Sequence, residues 1–401
     1  MSRFVVRPLA DFSEADPDLN EVAGSHGYLF VRNGAGFAGV GEAARLPIDE
    51  AVRWLEASSV AGSADFDCAG PIALGWHPFD GVAGEAVIPR VIVGKTAGHP
   101  TWVCYVEHHE DAVEEALRPS VSHITAPARY AISPGVGVDH YLRAVEAARD
   151  AVRSGVITKA VIARDIVITS SEAIDIATLL RRLRTSFGSS YRYSLDGFVG
   201  ASPELLVERR GDSVSSHPLA GTTPRTGDPD TDSRLASELR ASEKNQIEHR
   251  VVIDMVHDTL LPWCSYLDWQ PEPEVVPVAN VQHLGTRVEG TLSQPLPHVL
   301  ELVKALSPTP ALGGHPRKEA IDLITRVEGM QRGRYGGAVG WFDREGNGTW
   351  AVAIRCAEFS NDRRTARLFA GGGIVAESDP QAELAETQAK FQAMLAAIVR
   401  P

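Results

Sequence analysis

Up to about residue 130 the chain alternates short β-rich runs with glycine-containing turns. The runs are FVVRPL from Phe4, GYLFVRN from Gly27, AVIPRVIVGK from Ala86 and TWVCYVEHH from Thr101, with one helical stretch from Pro47 to Glu56. From Asp139 to Ser154 the apolar positions recur at helical spacing through Leu142, Val145, Ala148 and Val152. Asp139 reads as the N-cap and Gly155 as the stop. A strand from Ile157 to Thr169 follows, then strand-like runs at Tyr191 to Gly200 and Glu204 to Arg209. Next come a polar Gly, Pro and Thr loop at Gly221 to Asp232, a long helix from about Ser233 to Leu261, and a Pro-rich connection from Pro271 to Pro277. The rest predicts helices at Val299 to Leu306 and Lys318 to Val327, and strands at Ala338 to Asp343, Thr349 to Cys356 and Arg367 to Ala370. A triple-glycine turn and a terminal helix close the chain. No repeat and no low-complexity tract interrupts this order. Groups of strands broken by helices, without strict alternation, predict an α+β layered fold with two packed sheets flanked by helices.

The 401 residues are 44% hydrophobic and 23% charged, enough for a sizeable core. We expect one unit spanning 1–401 with two lobes. Its net charge of −13 and pI near 5.5 exclude a nucleic-acid footprint, because no Lys/Arg run is available to neutralise phosphates. An acidic substrate would need local positive charge from a metal, a few basic side chains and backbone N–H groups. Cys68, Cys104, Cys264 and Cys356 are isolated, so a zinc site or disulfide scaffold is not expected and the thiols read as buried and reduced. The N-terminus has neither a signal-peptide core nor a transit pattern, and no apolar stretch reaches the roughly 20 residues of a membrane span. A cytoplasmic setting is expected.

The terminal helix carries the clearest chemistry. Ser378, Asp379 and Pro380 start it, with Gln381 three residues after Ser378 in the spacing of a capping box. At about 100° per residue, Leu384, Gln388, Phe391, Leu395 and Ile398 form one stripe, and Glu383, Glu386 and Lys390 an adjacent one. Alone, Glu386 and Lys390 would be an ordinary solvated pair. Before them stands Gly371-Gly372-Gly373, whose bare backbone can admit a ligand and aim N–H groups at an anion. The middle helix adds Glu243, Lys244, Glu248 and His249, with Glu248 placed to face inward and His249 and His257 read as surface residues. Oxygen-only carboxylate ligands suit Mg²⁺. Gly94-Lys95-Thr96 lacks the upstream glycine of a phosphate loop, where Pro89 stands, and Asn347-Gly348-Thr349 reads as a hairpin turn.

In order along the chain, KAVIAR (from Lys159), GASPELL (from Gly200), PLAGT (from Pro218), ASEKNQIEH (from Ala241), PTPALGGHP (from Pro308), YGGAVGW (from Tyr335), AIRCAE (from Ala353) and AGGGIVAESDPQAELAET (from Ala370) resemble the chorismate-utilising enzymes. That family includes isochorismate, salicylate, anthranilate and aminodeoxychorismate synthases. The resemblance covers a core of 136–401 and is weak over 1–135. It implies a two-lobed fold with the active site between the lobes, chorismate as substrate and Mg²⁺ as cofactor. Glu248 and Glu386 would be metal ligands, with Glu383 acting nearby through water. Lys390 and the N–H groups of Gly372 and Gly373 would complete the ring-carboxylate pocket, and Tyr335 and Arg355 would hold the enolpyruvyl carboxylate. Gly221, Thr222 and His283 match further pocket positions. Lys159 and Glu204 resemble the base and acid of isochorismate formation, which a strand-end ion pair would otherwise explain.

Within the family, Lys at 159 instead of Gln points to water as nucleophile, and Ala311 instead of Thr resembles isochorismate synthases. No glutamine amidotransferase partner is then expected. The resemblance leaves salicylate synthase and a non-catalytic chorismate-binding paralogue as alternatives. The Gly, Pro and Asp content of Pro224 to Asp232 reads as that of a mobile loop.

Overall fold

The computed structural model describes residues 2–62, 69–82, 84–118, 128–278 and 281–400. Its architecture is α+β, as expected. Twenty of the described strands form one continuous hydrogen-bonded network, and three form a small separate sheet. Two long strands, Ala35–Pro47 and Glu85–Lys95, pair antiparallel and join the two halves of the network, with a bulge between Glu42 and Ala44. Such a bulge bends and twists a strand pair.

From Glu85–Lys95 one half runs through Ile72–His77, Ala338–Asp343, Gly348–Val352, Leu205–Arg210, Ser213–His217 and Val288–Leu292 to the edge strand Cys264–Trp269. From Ala35–Pro47 the other half runs through Tyr28–Arg32, Tyr191–Leu195, Phe198–Ser202, Cys356–Phe359 and Thr365–Ile374 to Lys159–Ser170. Inward residues of both halves share one core, in which Phe30, Phe37, Tyr191 and Tyr193 meet Leu205, Val207, Trp341 and Trp350. The early strands are therefore woven into the same network as the later ones. Fully burying one such side chain stabilises by about 1.5–3 kcal/mol.

On the outer face of the second half, the terminal helix Pro380–Val399 and the helix Ile176–Ser186 pack over a second core containing Ile168, Leu180, Phe391 and Ile398. A third core places Val138–Arg153 and Arg317–Val327 against the Lys159 strand, around Tyr141, Ile162 and Ile324. The small sheet, Leu219–Pro224, Val281–Gly285 and Glu274–Val278, packs with the helix Glu243–Leu260 beside the cavity described below.

Several boundaries differ from the sequence expectation, each for a local reason. The helix at 138 is capped by Gly137, two residues before Asp139, while Gly155 takes the left-handed conformation after its end. The expected long helix is two, Pro229–Ala241 and Glu243–Leu260, because the Ser242 side chain accepts from Asn245 N–H and so starts a new helix. Its first part takes in Pro229 to Asp232 from the predicted loop. The Pro-rich connection contains the strand Glu274–Val278, an edge strand where Pro277 is tolerated. The run at 191–200 is a hairpin turning at Asp196-Gly197, both at positive φ. The run at 349–356 is broken where Arg355 takes φ 53°. Gly371–Gly373 form no turn but lie inside the strand Thr365–Ile374, paired with Ala163, Ile162 and Val161. The terminal helix is capped by Asp379, which accepts from Ala382 N–H, while Ser378 donates to Glu383. Asn347 lies in the hairpin connecting Ala338–Asp343 to Gly348–Val352, as expected. Cys68 lies outside the described residues; Cys104 and Cys356 are buried free thiols, and Cys264 is only half-buried. No helix of the described residues is long and apolar enough to cross a membrane.

Candidate active site

One cavity of about 220 Å³ is lined by Lys159, Glu204, Gly221, Thr222, Glu248, His283, Ala311, Tyr335, Arg355, Gly373, Glu383, Glu386 and Lys390. These residues come from segments spread between positions 159 and 390, so only the fold brings them together. Lys159 opens its strand, buried, and its Nζ donates to Glu248 Oε1 at 2.7 Å. Glu204 precedes the strand Leu205–Arg210 and is 3% exposed. Burial pushes its carboxyl up to about 8, partly offset by the Leu219 N–H and the nearby Lys159 and Arg355 charges. At neutral pH it is a carboxylic acid with a proton to give.

Arg355 takes a positive φ directly before the strand Cys356–Phe359, and its side chain reaches the small sheet, where Nη2 donates to His283 Nε2 at 3.1 Å. His283 Nδ1–H in turn points at Gly221 O, 3.0 Å away, with Thr222 Oγ1 at 3.2 Å. Burial and the Arg355 and Lys390 charges push His283 down to about 3, so the ring is neutral and can accept from Arg355. Tyr335 stacks on Phe369 with ring centroids 5.1 Å apart, and burial pushes its hydroxyl up, so it is a neutral donor.

The glycine segment works differently from a turn. Lys390 Nζ donates to Gly371 O at 2.8 Å and to Glu386 at 2.5 Å. In an extended strand the N–H and C=O of alternate residues share a direction. Gly371 and Gly373 therefore face the cavity, and the Gly372 N–H faces Ile162 across the sheet. Gly371 and Gly373 of the glycine run line the cavity, and Gly372 is corrected: its backbone does not offer an N–H to the pocket. Its missing side chain matters instead, because a Cβ there would lie 2.5 Å from Glu383 Oε2 and 3.9 Å from Glu386 Oε1. A Cβ on Gly373 would lie 2.7 Å from Glu248 Oε1 and 2.8 Å from Lys159 Cε. The bare strand leaves the room beside it that these carboxylates and the lysine occupy.

Glu383 also belongs to the buried stripe of its helix with Thr387, Phe391, Met394 and Ile398, whereas Gln388 is exposed. That shifts the stripe predicted from sequence. His249 is corrected as well: it is 1% exposed, with Nε2 2.8 Å from Thr286 Oγ1 and burial pushing it down to about 4. His257 is partly exposed beside Asp258. Asn245 lines the cavity one helical turn before Glu248, a position that the 3.6-residue period could have flagged.

The donor set fits a hard divalent cation in chemistry, although no group of three ligating side chains converges closely enough among the described residues to be a ready-made metal cage. Mg²⁺ needs only one or two carboxylates when a ligand and water supply the rest. The formal charges agree, since Lys159, Arg355 and Lys390 match Glu248, Glu383 and Glu386. A doubly negative ligand would bring two charges that a divalent ion would cancel.

A family model described as chorismate binding enzyme matches residues 53–399. The chain belongs to the chorismate-binding enzyme family. The match reaches further toward the N-terminus than the sequence motifs. A Mycobacterium tuberculosis (strain ATCC 25618 / H37Rv) protein, provisionally named isochorismate synthase MenF, is 44% identical over 271 residues, covering 64% of this chain and 73% of that one. Isochorismate synthase DhbC of Bacillus subtilis (strain 168) is 38% identical over 341 residues, covering 82% of this chain and 81% of its own. A solved structure of MenF, described as the menaquinone-specific isochorismate synthase from Escherichia coli, superposes with a TM-score of 0.85, covering 100% of this chain and 95% of that one; at 23% identity that likeness is one of fold. In this chorismate-binding enzyme the cavity lies where the small sheet, the terminal helix and the Lys159 strand meet.

Proposed function

We propose that this family member is an isochorismate synthase, converting chorismate to isochorismate with Mg²⁺ as its cofactor. The observation that carries the reading is Glu204, a buried carboxyl held protonated in the same cavity as a buried lysine. Isochorismate formation adds water at one ring carbon while hydroxide leaves from another, so it needs a base and an acid. Lys159 is the base, oriented by the hydrogen bond from its Nζ to Glu248 Oε1. Glu204 is the acid that protonates the departing oxygen. Glu248 and Glu386 would hold Mg²⁺, with Glu383 nearby, and the bound ion would neutralise and orient the ring carboxylate. Lys390 and the cavity-facing N–H groups of Gly371 and Gly373 complete that end. Arg355, aligned by neutral His283, and the Tyr335 hydroxyl bind the second carboxylate, while Gly221, Thr222 and Ala311 shape the wall.

A lysine at the base position supports water as nucleophile and an enzyme that works without a glutamine amidotransferase. The free thiols at Cys104, Cys264 and Cys356 support a reducing, cytoplasmic setting. The product would feed menaquinone or siderophore synthesis. Incubating the protein with chorismate and Mg²⁺, with and without a chelator, and separating products by chromatography tests this. Isochorismate alone, lost with chelator, is the expected result. Salicylate with pyruvate, or unchanged chorismate, would overturn it.

A further inference from the structure

The cavity-bearing strand Lys159–Ser170 has an interrupted edge. Its first residues, Lys159 and Ala160, pair with the two-residue strand Gly314–His315, and Ile166–Ser170 pair with Tyr130–Pro134. Between them, Val161, Ile162 and Ala163 have no strand partner on that side among the described residues. Val161 and Ala163 point their backbone groups there, because Ile162 is turned to Gly372 on the other side. In a buried core such groups cost on the order of 1–3 kcal/mol each if left unbonded.

Two side chains fill the gap. Glu328 Oε1 accepts from Ala163 N–H at 2.7 Å, and Arg332 Nη2 donates to Val161 O at 2.7 Å. The pair is locked by its own ion pair, at 2.5 and 2.8 Å, with side chains 1% and 2% exposed. Arg332 Nη1 donates to Leu312 O at 2.7 Å, gripping the turn that carries Ala311 and Leu312 into the cavity. Its guanidinium also lies over Phe79, 4.1 Å from the ring centroid, and 5.9 Å from the centroid of Tyr335. Val161 N–H meanwhile donates to Gly313 O, closing the same turn onto the strand. One ion pair therefore touches three cavity-forming segments: the Lys159 strand, the 309–313 turn and Tyr335.

We infer that Glu328 and Arg332 are positioning residues for the active site, replacing a missing strand with side chains and fixing the wall against which the substrate ring is held. They touch none of the proposed metal ligands, so their effect falls on substrate fit and leaves metal demand alone. A buried pair that existed only for stability would have no reason to grip the cavity wall, and hydrophobic replacement of such pairs is often neutral. The kinetic part of this inference rests on the proposed function; the exchange part does not.

Arg332→Lys keeps the charge but cannot form the planar fork of bonds. Glu328→Gln keeps the shape and loses the charge. We expect KM for chorismate to rise on the order of tenfold in either variant, with the Mg²⁺ concentration for half-maximal rate unchanged. Hydrogen exchange should accelerate in 160–164 and 309–315 and stay at the wild-type rate in 348–352. The wild type measured in parallel separates the two claims: its failure to turn over chorismate sinks the proposed function, while exchange still reports on the pair. Wild-type KM and exchange in both variants would overturn the inference. So would a fall in kcat alone with uniformly faster exchange, or failure of both variants to fold, since each assigns the pair to stability only.

Discussion

Burial of Glu204 sets both the chemistry and a pH dependence. A carboxyl raised from 4.5 to about 8 stays protonated in the fold while the unfolded chain releases its proton. Its contribution to stability is therefore complete below about pH 4.5 and declines as pH rises toward 8. Turnover should likewise fall as pH rises through about 8, because the acid is lost. Glu204→Gln, uncharged and similar in shape, should lower kcat by about 10²-fold or more and make the protein more stable than the wild type at about pH 9. Equal kcat would remove Glu204 as the acid. Lys159→Ala should abolish turnover while leaving Mg²⁺-dependent chorismate binding, followed by calorimetry, largely intact; unchanged turnover would exclude Lys159 as the base. Both residues were legible in the sequence only through the motifs around them, since a lysine at a strand start and a glutamate before another strand carry no signal of meeting. His249 was misread because a histidine in a polar-looking stretch gives no sign that Thr286 will bury it.

At the scale of the element, the terminal helix and the glycine strand form one device. Phe391 anchors the helix, 1% exposed and 5.0 Å from the Arg164 guanidinium, which also binds Thr387 at 2.8 Å. Phe391→Ala should cost about 3–5 kcal/mol, seen as a lower denaturation midpoint. Gly372→Ala tests the other half: its Cβ would meet Glu383 Oε2 at 2.5 Å, so Glu383 must shift. We expect the Mg²⁺ requirement to rise several-fold while the melting curve stays cooperative, and an unchanged Mg²⁺ titration would contradict that role. The helix was readable because its apolar spacing and the Asp379-Pro380 start are local features. The strand was not, because three glycines look like a turn until a long partner, Lys159–Ser170, holds them extended. The break at Ser242 was equally hidden, as a serine within a helical pattern becomes a cap only when its side chain takes the Asn245 N–H.

Across the whole molecule, the strand runs and the α+β class followed from residue patterns, but the pairing did not. That Ala35–Pro47 and Glu85–Lys95 join two halves of one network depends on contacts between residues far apart in sequence. The cavity is a product of that long-range order: Lys159 and Glu248 are 89 positions apart and 2.7 Å from each other. The central claim is that water, activated at Lys159, replaces the hydroxyl that Glu204 releases. Turnover of chorismate in water enriched with heavy oxygen, in the presence of Mg²⁺, tests it by mass spectrometry of the isolated product. The account predicts isochorismate carrying the heavy oxygen in its ring hydroxyl. Isochorismate that retains only the original oxygen would contradict it.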